Sequence, residues 1–192
     1  MRQAAFDPPG MHRPFCLLPL TLVAALSAQE TGLPASVCRV SFSYPATWEL
    51  ITAAETGDSL GGCSASLRPK DWARRLVEDD SLDAHSIHVA VDDRSVDDAL
   101  ESAGFEQAGS RWFVTGPAGS RDSATAISGP GWRGAYGITG FRCFRLGEDG
   151  GSVFCEQPFA VLGTARRSAT ILGGVASAET VAYLLATFRF EP

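Results

Sequence analysis

The sequence predicts an α+β domain: a largely antiparallel sheet, a few flanking helices and two disulfides. Short stretches of alternating apolar and polar residues, most of them joined by short turns, outnumber the helical patterns. Strands joined in this way pair antiparallel, and helices then pack on the sheet. Four cysteines follow an N-terminal export segment, and an even number in an oxidising compartment favours disulfide pairs.

The N-terminal segment has the layout of a cleaved secretory signal. Residues 15–26 form an apolar run that Arg13 precedes and the small residues Ser27 and Ala28 follow. The run is about 12 residues long, short of the roughly 20 that a helix needs to span a bilayer. We therefore expect residues 1–28 to be an N-terminal extension and cleaved signal, with Met1 or Met11 as the start. Residues 29–192 should form a single domain that is secreted or periplasmic and has no membrane span.

Alternating residues predict most of the strands. A strand over 37–44 stops at Pro45, an extended pattern resumes at Trp48, and a third strand starts at Cys63. A short helix near 72–77 comes before the next strand. The remaining predicted strands are at 87–91, 105–107, 111–114 and 168–172, with a tight hairpin turn at 108–110 and a glycine-rich loop through 129–132.

Two helices carry capping and periodicity signals. Ser95 is a good N-cap with Asp98 three residues later, and Gly104 ends the helix. Ser177 is predicted to cap the last helix. Each helix has one apolar face, formed by Val96, Ala99, Leu100 and Ala103 in the first and by Val181, Leu184, Leu185 and Phe188 in the second.

The cysteines suggest a register for one more hairpin. If Cys143 faces Cys155, Phe144 faces Phe154 and Arg142 faces Glu156, around a turn at 148–150. Of the three formal pairings, this one leaves Cys38 to bond Cys63. The alternative is a closed zinc site, but none of the four cysteines stands in a close C-x-x-C pair.

Two segments resemble the PsbP-like fold family. Phe42-Ser43-Tyr44-Pro45-Ala46-Thr47-Trp48 is similar to its entry from one strand through proline to a tryptophan. Residues 167–171, the helix to Leu185 and Phe188-Arg189-Phe190 resemble its closing strand, helix and short strand. The resemblance implies a helix-flanked antiparallel sheet and mostly non-enzymatic, accessory or binding roles. Cysteine-stapled hairpins depart from the family's usual pattern.

Charge and motifs argue against several functions. The chain has 16 basic and 22 acidic residues, and its basic residues are scattered, so no nucleic-acid patch is visible. No phosphate-binding glycine string is present, and we expect no cofactor.

One string resembles a catalytic motif. Gly57-Asp58-Ser59-Leu60 is similar to the nucleophile block of the GDSL hydrolases, which also use an asparagine and a late Asp-x-x-His. This chain has no asparagine, and His85 and His88 lie mid-chain without an aspartate three residues before them. A nucleophilic serine needs a base within hydrogen-bond reach, so a polar turn is the favoured interpretation. A small secreted hydrolase centred on Ser59 is the alternative function.

Metal binding is not expected either. On a strand, His85 and His88 would point to opposite faces. The acidic residues between 79 and 98 could bind calcium, but they lack the order of a calcium loop. A solvated face is the simpler interpretation.

Aromatic residues give the remaining candidate site. Trp72, Trp112, Trp132 and Tyr136 are candidates to line a groove, and Trp132, Arg133 and Tyr136 stand among glycines in one predicted loop. An inward-facing Trp132 is the competing interpretation. The sequence thus predicts a non-enzymatic binding or accessory domain, for a protein or small-molecule partner that it does not identify.

Overall fold

The computed structural model describes residues 32–52, 63–73, 86–116, 119–144, 152–174 and 177–192, with the backbone alone at 52, 141–144 and 152–154. The described residues form twelve strands and two helices. In chain order these are β1 Leu33–Val37, β2 Val40–Tyr44, β3 Trp48–Thr52, β4 Cys63–Pro69, β5 Ile87–Asp92, α1 Val96–Ser102, β6 Phe105–Ala108, β7 Arg111–Thr115, β8 Arg121–Gly129, β9 Trp132–Phe144, β10 Ser152–Gly163, β11 Ser168–Gly173, α2 Ala178–Thr187 and β12 Arg189–Phe190.

The strands make two antiparallel sheets. Nine strands pair in the order β3-β4-β5-β11-β10-β9-β8-β7-β6, and three pair in the order β1-β2-β12. The predicted passage through Pro45 to Trp48 is present, but it carries the chain from the small sheet to the edge of the large one. Trp48 N–H donates to the Pro45 carbonyl at 2.9 Å, which closes this turn.

The predicted α+β class is wrong: the described fold is mostly antiparallel sheet. The main reason is the unpredicted hairpin of β8 and β9, which replaces the expected glycine-rich loop. Serine, alanine and glycine dominate β8, and such residues carry little of the β-branched and aromatic signal on which strand prediction depends.

Two apolar cores lie on opposite faces of the large sheet. The larger core joins that sheet to the small sheet and α2, with Phe42 stacked on Phe188 at 5.9 Å between ring centroids. The smaller core lies beneath α1, where Val96 and Leu100 pack with Val114 and Val161. The face of α1 that the sequence predicts is therefore confirmed, as is its Ser95 cap, which accepts from Asp98 N–H at 3.1 Å.

The first predicted strand is in fact a hairpin. Cys38 and Arg39 form its turn with φ values of 60° and 58°, so β1 and β2 replace one strand over 37–44. Turns with two left-handed residues favour asparagine and glycine, which explains why this one was not predicted.

The predicted bond between Cys38 and Cys63 is confirmed. Their α carbons are 5.5 Å apart, and the bond joins the turn of the small sheet to β4 in the large sheet. It is the one complete disulfide among the described side chains, so the expected two are not found there. Cys155 is disulfide-bonded as well, and its partner lies outside the described side chains.

The pairing of β9 with β10 is confirmed, but the predicted register is wrong. Cys155 lies opposite Phe141, and Cys143 lies opposite Val153, a shift of two residues. A shift of two leaves every side chain on its predicted face, so alternation could not distinguish the two registers. The predicted Phe144–Phe154 and Arg142–Glu156 pairs are therefore not direct cross-strand neighbours, and the turn at 148–150 lies outside the described residues.

The C-terminal strand, helix and short strand are confirmed as β11, α2 and β12. Ser177 occupies the N-cap position of α2, although its hydroxyl donates to the Gly174 carbonyl at 2.6 Å and does not cap the helix. Of the predicted helix near 72–77, the described part shows only its start, at Trp72 and Ala73. No helix in the described ranges is both long and apolar enough to cross a membrane.

Candidate functional site

The glycine-rich segment that contains Trp132, Arg133 and Tyr136 is a tight turn and a strand. Pro130 and Gly131 connect β8 to β9, and Gly131 has the left-handed φ of 78° that this two-residue turn requires. Because Trp132 starts β9, its side chain and that of Tyr136 lie on one face, whereas Arg133 lies on the other. The three side chains therefore do not form one common surface.

Trp132 lies in the larger core. Its side chain is 7% exposed, and its indole N–H donates to the Phe188 carbonyl at 3.0 Å. This hydrogen bond ties the large sheet to the residue that ends α2. Trp132 therefore faces inward, as the competing interpretation of the sequence expected, and its ring is not presented to a partner.

Arg133 and Tyr136 have separate environments. The Arg133 guanidinium donates to both carboxylate oxygens of Asp97, at 2.5 and 2.7 Å, in an exposed pair at the start of α1. Such an exposed pair contributes little to stability, about 0–1 kcal/mol. Tyr136 is partly buried against the larger core, and this burial raises the pKa of its hydroxyl above 10.0.

Ser59 and His85 lie outside the described residues, but His88 is on β5 as predicted. Its Nδ1 is 2.9 Å from the Ser66 hydroxyl of β4, its direct cross-strand neighbour. Within the described chain no carboxylate is bonded to this imidazole, so no described group orients it as a catalytic base requires. The Ser66–His88 contact is a cross-strand hydrogen bond on the sheet face.

The described acidic residues of the stretch between 79 and 98 each have a separate partner and are not gathered around a common point. Asp92 pairs with Arg94 at 3.3 Å and Asp93 with Arg167 at 3.2 Å. Asp97 binds Arg133, and the Asp98 carboxylate accepts from Ser95. In the described ranges no group of three or more metal-ligating side chains comes together. The stretch at 79–83 lies outside them.

One cleft opens at the Cys38–Cys63 disulfide. It has a volume of about 530 Å³ and is lined by Arg39, Arg167, Asp92 and Asp93 among others. Arg167 is already bound to Asp93 and to the Glu191 carbonyl, at 3.2 and 3.4 Å. Acidic and basic groups balance in this cleft, so it offers no clear charge preference to a ligand.

A second cleft lies on the hairpin end of the large sheet, and we call it the Trp112 cleft. Its volume is about 600 Å³, and its lining comes from β6, β7 and β8. Gln107, Trp112 and Ala124 are direct neighbours across these three strands. Direct neighbours share a face, and Ala126 joins them two residues along β8. An aromatic ring, a primary amide and two alanine methyl groups therefore stand side by side.

Trp112 is held in place without being covered. Its ring packs partly against the smaller core, next to Ala124. Its indole N–H has no hydrogen-bond partner within the described ranges. The Gln107 amide donates to the Gly109 carbonyl at 3.1 Å, which fixes the amide and leaves its carbonyl oxygen as an open acceptor. The cleft thus combines a fixed apolar surface with an open donor and an open acceptor.

The sequence indicated this site only in part. Trp112 was among the aromatic residues expected to line a groove, and its hairpin of β6 and β7 was predicted. The adjoining strand β8 was not predicted, and β8 supplies the alanines on which the cleft depends. Without that strand Trp112 could not be distinguished from an ordinary strand residue.

Comparison with known proteins assigns no family. No protein-family model and no curated protein matches the chain. Among solved structures, a protein from Bacteroides thetaiotaomicron VPI-5482, determined at 1.50 Å, matches with a TM-score of 0.46 and 14% sequence identity. The match covers 80% of this chain and 46% of the other, so this chain spans less than half of that protein.

Proposed function

We propose that this protein is a secreted or periplasmic binding or accessory domain without catalysis of its own, and that the Trp112 cleft is its binding surface. The carrying observation is the partly exposed indole of Trp112 beside the fixed amide of Gln107 in a cleft of about 600 Å³. Ligand sites combine apolar and aromatic surface with a few fixed polar groups in this way, in volumes of about 300–1,000 Å³.

The location outside the cytosol has two supports. The apolar run at 15–26 with small residues after it is typical of an export signal. The Cys38–Cys63 disulfide fits an oxidising compartment, since disulfides are rare in the reducing cytosol.

The accessory role has a further support in the order of elements. The chain passes from a strand through Pro45 to Trp48 and closes with a strand, a helix and a short strand, as the resemblance to the PsbP-like fold family implies. Members of that family are mostly non-enzymatic.

A capture experiment tests the proposal. The purified mature protein is immobilised, exposed to native envelope extract and culture fluid, and compared with its Trp112→Ala and Trp72→Ala variants. Trp72 is a matched control because it is also partly exposed, but it lies outside the cleft, beneath the Arg68 guanidinium. We expect a specific molecule to be retained by the wild type and by Trp72→Ala and to be lost from Trp112→Ala. Equal retention by all three proteins would remove the cleft from the proposal.

The non-enzymatic part has its own test. Purified protein should not hydrolyse short esters, because the described chain gives His88 no orienting carboxylate and the sequence has no asparagine for a GDSL-type oxyanion hole. Ester hydrolysis that disappears on Ser59→Ala would instead establish the hydrolase alternative.

A further inference from the structure

We infer that the Trp112 cleft binds an uncharged carbohydrate, with a sugar ring lying on the Trp112 indole. This inference rests on the proposed function, since it names the ligand class of the same cleft. It depends on three properties of the cleft: a fixed aromatic surface, neutral polar groups around it, and a floor of small side chains.

The aromatic surface is suited to a ring with an apolar face and a polar edge. The indole of Trp112 is partly buried against the smaller core, so binding does not have to order it first. The carbon–hydrogen face of a pyranose can pack on an indole, while the hydroxyl groups at the sugar's rim remain free to hydrogen-bond. A purely apolar ligand would leave the polar lining unpaired, which costs free energy.

The polar lining is mostly neutral. Gln107 lies beside Trp112 and Ser110 stands in the adjoining turn, and the lining contains no acidic residue. Ser123 and Thr125 also line the cleft, but on β8 they alternate with Ala124 and lie on the opposite face of the sheet. Arg111 is the one charged residue in the lining, and strand alternation directs it to the face opposite Trp112. Amide and hydroxyl groups both donate and accept, as the hydroxyl groups of a sugar do.

The floor permits close approach. Ala124 and Ala126 present single methyl groups beside the indole, and Ala126 is exposed. A larger side chain at either position would occupy the space that a sugar ring on the indole needs. The cleft of about 600 Å³ is open enough for a short oligosaccharide.

The test is a titration of the purified mature protein with a panel of neutral oligosaccharides, followed by calorimetry and tryptophan fluorescence. We expect saturable binding by the wild type. In Trp112→Ala the affinity should fall by a factor of about ten or more, as for loss of an aromatic anchor. Ala126→Leu should weaken binding similarly by covering the floor. Because Ala126 is exposed, this variant tests the cleft even if Trp112→Ala does not fold. Trp72→Ala should bind like the wild type.

The outcomes separate the ligand class from the binding surface. If no neutral oligosaccharide binds, but capture of the native partner still requires Trp112, the cleft is a binding surface and the carbohydrate inference is wrong. Capture of a peptide or protein through Trp112 would likewise retain the binding surface and exclude the carbohydrate inference. Saccharide binding that neither Trp112→Ala nor Ala126→Leu weakens would also overturn the inference, because the sugar would then lie elsewhere.

Discussion

The middle and the hairpin end of the large sheet are built differently. Around β5, β10 and β11 the sheet lies against the small sheet and α2, and β5 alternates strictly between buried and partly exposed residues. At the other end β8 has nine residues, and none of them is buried. The same sheet therefore packs on the small sheet and α2 in one region, whereas its strand β8 contributes no buried residue in the other.

Because of this difference, most of the stabilising contacts and the proposed binding surface lie in separate regions of the sheet. The middle region encloses most of the large buried side chains, and burial of apolar surface is the dominant favourable contribution to folding. At the hairpin end Phe105 and Val114 are buried in the smaller core, and Trp112 and Ala124 pack partly against it. Regions with little buried apolar surface can carry exposed aromatic groups without loss of core packing, and the Trp112 cleft is located there.

The largest effect should come from the packed region. Phe188 is fully buried and contacts the rings of Phe42 and Phe190. Phe188→Ala should lower the free energy of unfolding by about 3–5 kcal/mol, because it removes a large buried ring and leaves a cavity between the sheets. Chemical denaturation followed by circular dichroism measures this loss.

A matched deletion at the hairpin end is the control. Phe113 is only partly buried, and its ring lies 4.0 Å from the Arg121 guanidinium carbon. Phe113→Ala should cost about 1 kcal/mol, the value of one exposed cation–π contact. Similar losses for Phe113→Ala and Phe188→Ala would contradict the division of the sheet into a packed and an open region.

The same division explains how far the sequence predicted the fold. In the packed region one face of each strand is buried, so alternation is visible in the sequence. The strands β5 and β11 and the apolar face of each helix were therefore predicted. At the open end neither face of β8 is buried, so its sequence carries no alternation, and β8 was missed. The site prediction failed with it, because Trp132 belongs to the packed region and the cleft needs β8.

A second effect should come from the bond between the sheets. Cys38 and Cys63 are 25 positions apart, and a disulfide that closes a loop of this size contributes about 3 kcal/mol. Replacing both cysteines by alanine should therefore lower the denaturation midpoint of the packed region. Oligosaccharide affinity at the Trp112 cleft should stay within a factor of about two, because the cleft at the disulfide and the Trp112 cleft share no lining residue. A parallel loss of affinity would show that the two regions are coupled.

The smallest effect concerns pH at the border between the regions. Tyr136 lies on β9 against the larger core, and burial raises the pKa of its hydroxyl above 10.0. Below pH 10 the hydroxyl is neutral in both the folded and the unfolded chain, so its contribution to stability is fully present. As the pH rises further, the unfolded chain loses this proton first, and the folded state loses stability until the folded pKa is passed.

Tyr136→Phe should therefore flatten the fall of the unfolding free energy between about pH 9 and pH 11. Denaturation curves at stepped pH values measure this variant, and an unchanged slope in Tyr136→Phe would mean that the hydroxyl is hydrated in the folded protein.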